Sequence, residues 1–207
     1  MSSGKFITLE GGEGVGKSTN AAFIKNHLET QNIPVILTRE PGGTAVAEAI
    51  RALLLQKQSE KLTIKAELLL MFAAREQHLQ QVILPNLERG IWVLCDRFTD
   101  ATYAYQGGGR KIDNEIIAWL ENWIQGTFRP DLTLLLDAPI NIGLSRAKAR
   151  SALDRFESEE ILFFEAVRTN YLKRAEANPN QIKVINASQA LVDVQKDVIT
   201  ALDQDLL

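Results

Sequence analysis

A glycine-rich segment near the N-terminus has the residue types and spacing of a phosphate-binding loop. Residues 11–19 read GGEGVGKST and directly follow an apolar, strand-like run that begins at Phe6. Glycines allow a tight turn in which backbone N–H groups converge on an anion, and the helix that follows adds its positive dipole end. Lys17 can then reach the β- and γ-phosphates while the Ser18 hydroxyl binds Mg²⁺. The segment therefore predicts a nucleoside triphosphate site, which we assign to Gly11, Gly12, Glu13, Gly14, Val15, Gly16, Lys17, Ser18 and Thr19.

Charged residues follow two further strand-like runs and indicate a second phosphate site. Residues 38–44 read TREPGGT, in which the Arg39 guanidinium and the start of a helix can bind an anion. Asp96 and Arg97 follow the next run, so that an acid able to hold Mg²⁺ lies beside a base able to bind phosphate. A surface turn and a structural salt bridge are the alternatives. Two phosphate-binding groups at one sheet edge favour phosphoryl transfer between two substrates.

The elements that must position these residues alternate between strand-like runs and helical periodicity. This alternation is typical of a parallel sheet with helices on both faces, where ligands bind at the carboxyl ends of the strands. The predicted strands are Lys5–Leu9, Pro34–Thr38, Ile91–Cys95, Leu132–Leu136 and Ile182–Ile185. The predicted helices are Lys17–Gln31, Ala45–Gln56, Ile64–Arg89, Asp113–Gln125, Ile140–Ala149, Glu159–Ala177 and Ala190–Asp203. The sequence thus predicts an α/β fold.

Composition predicts one domain over residues 1–207 and excludes several classes of protein. The chain is 45% hydrophobic and carries 23 basic against 26 acidic residues, a net charge of -3. No apolar run approaches the roughly 20 residues of a membrane helix, and no signal pattern opens the sequence. The single cysteine, Cys95, lies in an apolar run and predicts a buried free thiol. We therefore expect a cytoplasmic protein with no nucleic-acid or membrane partner.

Four segments, in order after the phosphate-binding loop, resemble the bacterial thymidylate kinases: TREPGGT, DRF, AYQGGGR and SRAKARSALDRFE. The similarity extends from Phe6 to about Tyr171. It implies the P-loop nucleoside monophosphate kinase fold, with a five-stranded parallel sheet flanked by helices, a lid at about residues 145–156, and a homodimer. The implied reaction is ATP-dependent phosphorylation of dTMP to dTDP in dTTP biosynthesis, with Mg²⁺. Another nucleoside monophosphate or deoxynucleoside kinase is the alternative, and a P-loop regulatory ATPase is a more distant one.

The resemblance also implies which residues bind the acceptor phosphate and the metal. It assigns Arg39 and Arg97 to the dTMP phosphate, with Arg51 as a weaker candidate. Glu10 and Asp96, together with Ser18, would serve the metal. Glu13 is unusual in a phosphate-binding loop because a carboxylate repels phosphates, and the resemblance directs it to the 3′-hydroxyl of dTMP.

Two helical segments contain candidates for reading the base. Phe72 and Arg75 lie three residues apart and share one helix face, where a ring can stack on a base while a guanidinium donates to its carbonyl. The family places its stacking aromatic four residues before the arginine, which is Met71 here, so either side chain is a candidate. Thr102 and Gln106, four residues apart, can bind one base edge. Tyr105 resembles the aromatic residue that the family places against the sugar 2′ position, and residues 107–109 (GGG) predict a flexible turn.

The source of the charge that stabilises the transition state is predicted to be the lid. No arginine occupies the variable positions of the phosphate-binding loop, so another element must supply one. Residues 145–155 read SRAKARSALDR, a basic cluster in an acidic chain, although a solvated helix face is the alternative. Lys148 stands where relatives often have arginine, which leaves Arg150 and Arg155 as the catalytic candidates and Arg146 for ATP. The predicted catalytic set is Lys17, Asp96, Arg97, Arg150 and Arg155.

Overall fold

The structure is a computed structural model that describes residues 4–56, 60–150, 155–156 and 159–207, without the side chains of residues 147–150. Its sheet has five parallel strands in the order β2-β3-β1-β4-β5. They are β1 (Phe6–Glu10), β2 (Val35–Arg39), β3 (Trp92–Asp96), β4 (Leu132–Asp137) and β5 (Ile182–Asn186). Ile7 of β1 lies opposite Leu94 on one side and Leu132 on the other. The strand that leads into the phosphate-binding loop is therefore central, at the switch point where open α/β sheets bind ligands.

Helices cover both faces of this sheet. They are α1 (Lys17–Thr30), α2 (Ala45–Leu55), α3 (Ile64–His78), α4 (Leu84–Glu88), α5 (Thr99–Thr102), α6 (Asn114–Gln125), α7 (Ile140–Arg150), α8 (Ile161–Ala177) and α9 (Leu191–Asp205). Thr44, Thr63 and Asp113 begin α2, α3 and α6 by accepting a hydrogen bond from a backbone N–H of the first turn, the usual role of such N-caps. Among the described residues, no helix is long and apolar enough to cross a membrane.

The long helix predicted at Ile64–Arg89 is interrupted by a π-helical turn. Residues Leu79–Ile83 form this turn between α3 and α4. Pro85 lies at the start of α4 and has no N–H to donate to the preceding turn. The wider π turn accommodates that missing bond, so the helical path continues to Glu88.

The prediction of a flexible turn at residues 107–109 is wrong. These glycines belong to a π-helical segment, Tyr103–Gly109, that packs directly on α8. A Cβ atom at Gly108 would lie 2.8 Å from the Ala166 carbonyl oxygen, and one at Gly109 would collide with the Phe163 ring. The glycines therefore permit close approach of two backbones rather than flexibility.

The core lies on both faces of the sheet, as in other fully covered parallel sheets. On one face, β1 packs against α1 and α9 through residues such as Ile7, Ile24 and Val198. On the other face, Phe6 packs with the helical segment that contains Ile83. Cys95 is fully buried as predicted, and burial raises the pKa of its thiol well above the ordinary value. These layers leave the carboxyl edge of the sheet for the site.

Candidate active site

The phosphate-binding loop joins the end of β1 to the start of α1. Gly11, Gly14 and Gly16 have positive φ angles of 135°, 67° and 91°, a region that side chains with a Cβ rarely adopt. Lys17 opens α1, and its Nζ donates to the carbonyl oxygens of Gly11 (3.1 Å) and Gly12 (2.6 Å). Burial lowers the pKa of Lys17, and the neighbouring Arg97 adds to that effect. The loop thus holds the Lys17 ammonium group against its own carbonyl oxygens. We call the pocket that residues 13–19 and Arg97 line the nucleotide cradle.

The two side chains predicted to bind magnesium, Ser18 and Asp96, lie beside the cradle. Ser18 and Asp96 line one groove, and Asp96 Oδ1 is buried without a hydrogen-bond partner among the described residues. A buried carboxylate oxygen without a partner is costly, and Mg²⁺ prefers such oxygen ligands together with substrate phosphates. The donor set therefore fits the predicted ion.

Glu10 does not fit the predicted metal role. Its side chain is fully buried, Oε1 accepts from the Phe98 N–H (2.7 Å), and Oε2 accepts from the Tyr171 hydroxyl (2.8 Å). Burial, with repulsion from Asp100, raises the pKa of Glu10 to about 7. Both oxygens are thus committed to protein donors, and Glu10 supports the loop after β3 instead of reaching the groove.

Arg97 stands between two cavities. Its backbone has a φ of 71°, which is strained for a side chain of this size, and its guanidinium donates to Gly11 O (2.9 Å), Tyr171 Oη (3.2 Å) and Glu13 Oε1 (2.7 Å). Arg97 lines the nucleotide cradle and also a second cavity on the α2–α3 side. One fixed cation therefore reaches both sites.

We call this second space the acceptor cavity. It is lined by Glu13, Glu40, Pro41, Arg51, Leu55, Met71, Arg75, Arg97, Phe98, Ala101, Thr102, Tyr105, Gln106 and Phe156. Eight residues predicted for acceptor binding are among them: Glu13, Arg51, Met71, Arg75, Arg97, Thr102, Tyr105 and Gln106. The structure thus gathers most of the predicted set from four separate stretches of chain.

Two predicted acceptor residues lie elsewhere. Arg39 is exposed and donates to both carboxylate oxygens of Glu48 at 2.9 Å, outside the acceptor cavity. Arg51 lines the cavity in its place and donates to the Pro41 carbonyl (2.8 Å). Phe72 is 2% exposed and packs in a core cluster, whereas its neighbour Met71 faces the cavity. Successive helical residues point about 100° apart, so only one of this pair can face the base.

Arg75 is held by a buried network that leaves one donor for the cavity. Its Nε donates to Glu40 Oε2 (2.8 Å), and Nη2 donates to Thr102 Oγ1 (3.0 Å) and to Phe98 O (3.1 Å). Nη1 is buried and has no partner in the described part of the chain. Glu40 is held in turn by His78, whose Nδ1 lies 3.0 Å from Oε1. The guanidinium therefore has a fixed plane, and its Nη1 amino group is left for a base carbonyl.

The sugar side of the cavity is formed by Glu13 and Tyr105. The Tyr105 hydroxyl donates to Glu13 Oε1 (2.7 Å), and Arg97 lies over the Tyr105 ring with its guanidinium carbon 4.8 Å from the centroid. The Glu13 carboxylate thus contacts Tyr105 and Arg97, which both line the acceptor cavity. Tyr105 also packs edge-on against Phe156.

Two of the arginines predicted for the lid, Arg146 and Arg155, have different partners in the structure and lie apart from one another. Arg146 on α7 donates to the Ala187 carbonyl (3.0 Å), and the side chain of Arg150 lies outside the described residues. Arg155 pairs with Glu67 Oε2 (2.7 Å) and donates to Leu54 O (2.7 Å), so it is anchored on α2 and α3 beside the acceptor cavity. In the structure, Arg155 therefore contacts Glu67 and Leu54 instead of the predicted phosphate position.

Several side chains of the site had no predicted role. Glu40, Glu67, His78, Phe156 and Tyr171 act through contacts with residues distant in sequence, and single-sequence periodicity contains no signal for such contacts. Glu40 lies within the motif TREPGGT and Phe156 within SRAKARSALDRFE, but neither motif indicated these contacts. Asp137, the acid at the end of β4, forms a two-fold ion pair with Arg168 at 2.7 and 2.8 Å, which is a structural role.

Comparisons with known proteins agree with this geometry. The family model described as Thymidylate kinase matches residues 9–198. The thymidylate kinase of Pseudomonas savastanoi pv. phaseolicola is 58% identical over 201 residues, covering 97% of this chain and 96% of that protein. That of Teredinibacter turnerae is 56% identical over 200 residues, covering 97% and 98%.

A solved structure supports the same conclusion. The crystal structure of thymidylate kinase from Ehrlichia chaffeensis has a TM-score of 0.78 and 33% identity, covering 97% of this chain and 99% of that chain. The predicted P-loop nucleoside monophosphate kinase fold is thereby confirmed. Because the matches span the cradle, the acceptor cavity and nearly all of the sheet, the chain belongs to the thymidylate kinase family.

Proposed function

We propose that this protein transfers the γ-phosphoryl group of ATP to dTMP, forming dTDP for dTTP biosynthesis. The observation that carries the proposal is the position of Arg97, which lines the nucleotide cradle and the acceptor cavity together. A cation shared by two phosphate sites suits direct transfer between them. Family membership at high identity supports the choice of dTMP.

The chain's contribution to the reaction is positioning and charge neutralisation, with no covalent enzyme intermediate. Lys17 and the loop N–H groups bind the triphosphate, and Arg97 with Arg51 binds the acceptor phosphate. Ser18 and Asp96 would hold Mg²⁺, and the bound ion would neutralise charge on the phosphates. Arg150 remains the proposed source of lid charge at the transferring group, and Arg146 remains proposed for ATP.

The acceptor is recognised at both its sugar and its base. Glu13 would accept a hydrogen bond from the 3′-hydroxyl, and Tyr105 would occupy the space that a ribose 2′-hydroxyl needs. Arg75 donates to a base carbonyl through Nη1, Met71 lies against the base, and Gln106 with Thr102 contacts its edge. A site built of such buried polar groups strongly rejects bases with the wrong pattern.

A coupled ADP-release assay with dTMP, dUMP, dCMP, dGMP and UMP tests the proposal. We expect turnover that requires a monophosphate and is fastest with dTMP, and no turnover in Lys17→Ala. This variant should remain folded because the Lys17 ammonium group donates to the loop carbonyls of Gly11 and Gly12 and not to the core of the sheet. ATP hydrolysis at the same rate without any acceptor would favour a regulatory ATPase instead. Faster turnover with another monophosphate would contradict dTMP as the substrate.

We further propose a single cytoplasmic domain that forms a homodimer through helices. The support is an exposed apolar face on α6, where Ile116, Trp119 and Trp123 are 50%, 63% and 70% exposed. Their spacing places them on one side of the helix, and the two indole rings lie 5.5 Å apart. Sedimentation of the protein with and without Trp123→Glu tests this proposal, since a monomer in both samples would contradict it.

A further inference from the structure

Glu67 is a buried acid outside the acceptor cavity that holds a residue lining it. It lies in the first turn of α3, is 1% exposed, and is not among the described residues that line the cavity. It accepts from Gln106 Nε2 (2.9 Å), Arg110 Nε (3.2 Å) and Arg155 Nη1 (2.7 Å). A buried carboxylate requires such partners, so these donors are fixed around it.

The chemistry of Glu67 decides which way the Gln106 amide points. An ionised carboxylate only accepts hydrogen bonds, so Gln106 must turn its NH₂ group toward Glu67. Gln106 is 1% exposed and lines the acceptor cavity, which leaves its carbonyl oxygen as the group that it can offer to a bound base. We propose that Glu67 is a positioning residue that sets the base specificity of the acceptor site by fixing this amide orientation.

This orientation matches thymine and opposes cytosine. Thymine carries an N3–H donor next to its O4 acceptor, whereas cytosine carries an N3 acceptor next to its N4 amino donor. The Gln106 carbonyl accepts from N3–H, and the unpartnered Nη1 of Arg75 donates to O4. Cytosine would set acceptor against acceptor and donor against donor at these two positions. The inference rests on the proposed function and adds the residue that orients its base contact.

Glu67→Gln tests the inference because glutamine keeps the shape of glutamate but can donate as well as accept. Gln106 could then turn over and offer N–H to a base. We expect the ratio of kcat/KM for dTMP over dCMP to fall about tenfold or more, the scale of one mismatched buried hydrogen bond. The ratio for dTMP over dUMP should stay unchanged, because uracil has the same hydrogen-bonding edge. Glu115→Gln, at an exposed position on α6, is the matched control and should change neither ratio.

Two further variants separate amide orientation from general loosening of the site. Arg155→Met removes another partner of Glu67 but leaves its bond to Gln106, so the dTMP to dCMP ratio should be kept. In a Gln106→Leu background, Glu67→Gln should no longer affect that ratio, because the residue through which it acts is gone. If Glu67→Gln fails to fold, Glu67→Asp and Glu67→Asn provide the same comparison, and only Asn should lose thymine preference.

Three results would overturn the inference while the proposed function stands. They are an unchanged dTMP to dCMP ratio in folded Glu67→Gln, an equal fall in the dTMP to dUMP ratio, or the same loss of preference in Arg155→Met. Failure of the unsubstituted protein to phosphorylate dTMP would instead overturn the proposed function itself.

Discussion

Replacing Arg155 with methionine should weaken acceptor binding and leave the chemical step nearly intact. Arg155 donates to buried Glu67 and to the Leu54 carbonyl, and its neighbour Phe156 lines the acceptor cavity. The guanidinium therefore anchors the chain segment that closes this side of the cavity. Methionine keeps an apolar side chain of similar length but removes both anchoring bonds and the guanidinium, whose carbon lies 4.3 Å from the centroid of the Phe156 ring.

The size of the effect follows from those bonds. A charge-assisted hydrogen bond contributes about 1.5 to 3 kcal/mol, and Glu67 keeps two other donors when Arg155 is lost. Because the Arg155 side chain is 20% exposed, we assign about 2 kcal/mol to the free energy by which its bonds stabilise the anchored segment. Apparent affinity falls with the fraction of molecules in the anchored state, so the dTMP KM should rise by up to about 30-fold.

Initial rates with varied dTMP at saturating ATP measure KM, and rapid-quench single turnover measures the chemical step. Arg129→Met removes an arginine that lines neither cavity and should change neither value. A single-turnover rate lowered by about 10³ with an unchanged dTMP KM would refute this reasoning, because that is the behaviour of an arginine finger. We expect that behaviour from Arg150→Met instead.

Three other outcomes follow from the site. Arg51→Met should raise the dTMP KM by about 10- to 100-fold because it loses a charge-assisted phosphate contact, whereas Arg39→Met should change this KM far less. Equal effects of the two variants in steady-state assays would contradict the assignment of Arg51, rather than Arg39, to the dTMP phosphate. Met71→Ala should raise the dTMP KM with little loss of stability, while Phe72→Ala should lower the free energy of unfolding by about 3 to 5 kcal/mol in denaturant titrations. Burial raises the pKa of Glu10 from 4.5 to about 7 in the folded chain. Between these two pH values the folded state therefore binds one more proton than the unfolded state. The free energy of unfolding should therefore fall as pH rises through that window. An equally steep pH dependence in a Glu10→Gln variant would contradict Glu10 as its cause.

Features that depend on local sequence were predictable. The five strands were predicted to within about two residues because buried parallel strands are continuous apolar runs, and helices show their 3.6-residue period. The phosphate-binding loop was recognisable because its glycines, lysine and serine act within nine consecutive residues. Residues at strand ends were predicted to share one edge, and Asp96 and Arg97 lie there.

Features that depend on the direction of a side chain or on distant partners needed the tertiary structure. Sequence could not choose between Met71 and Phe72, since the rotation of α3 against its neighbours decides which faces the cavity. The arginine-free loop and the family resemblance predicted Arg155 at the phosphates, whereas packing on α2 and α3 gives that arginine a buried partner in Glu67. The charge of each side chain is known from the sequence. The position of a buried charged side chain depends on its ion-pair partner, and only the folded chain brings the two together.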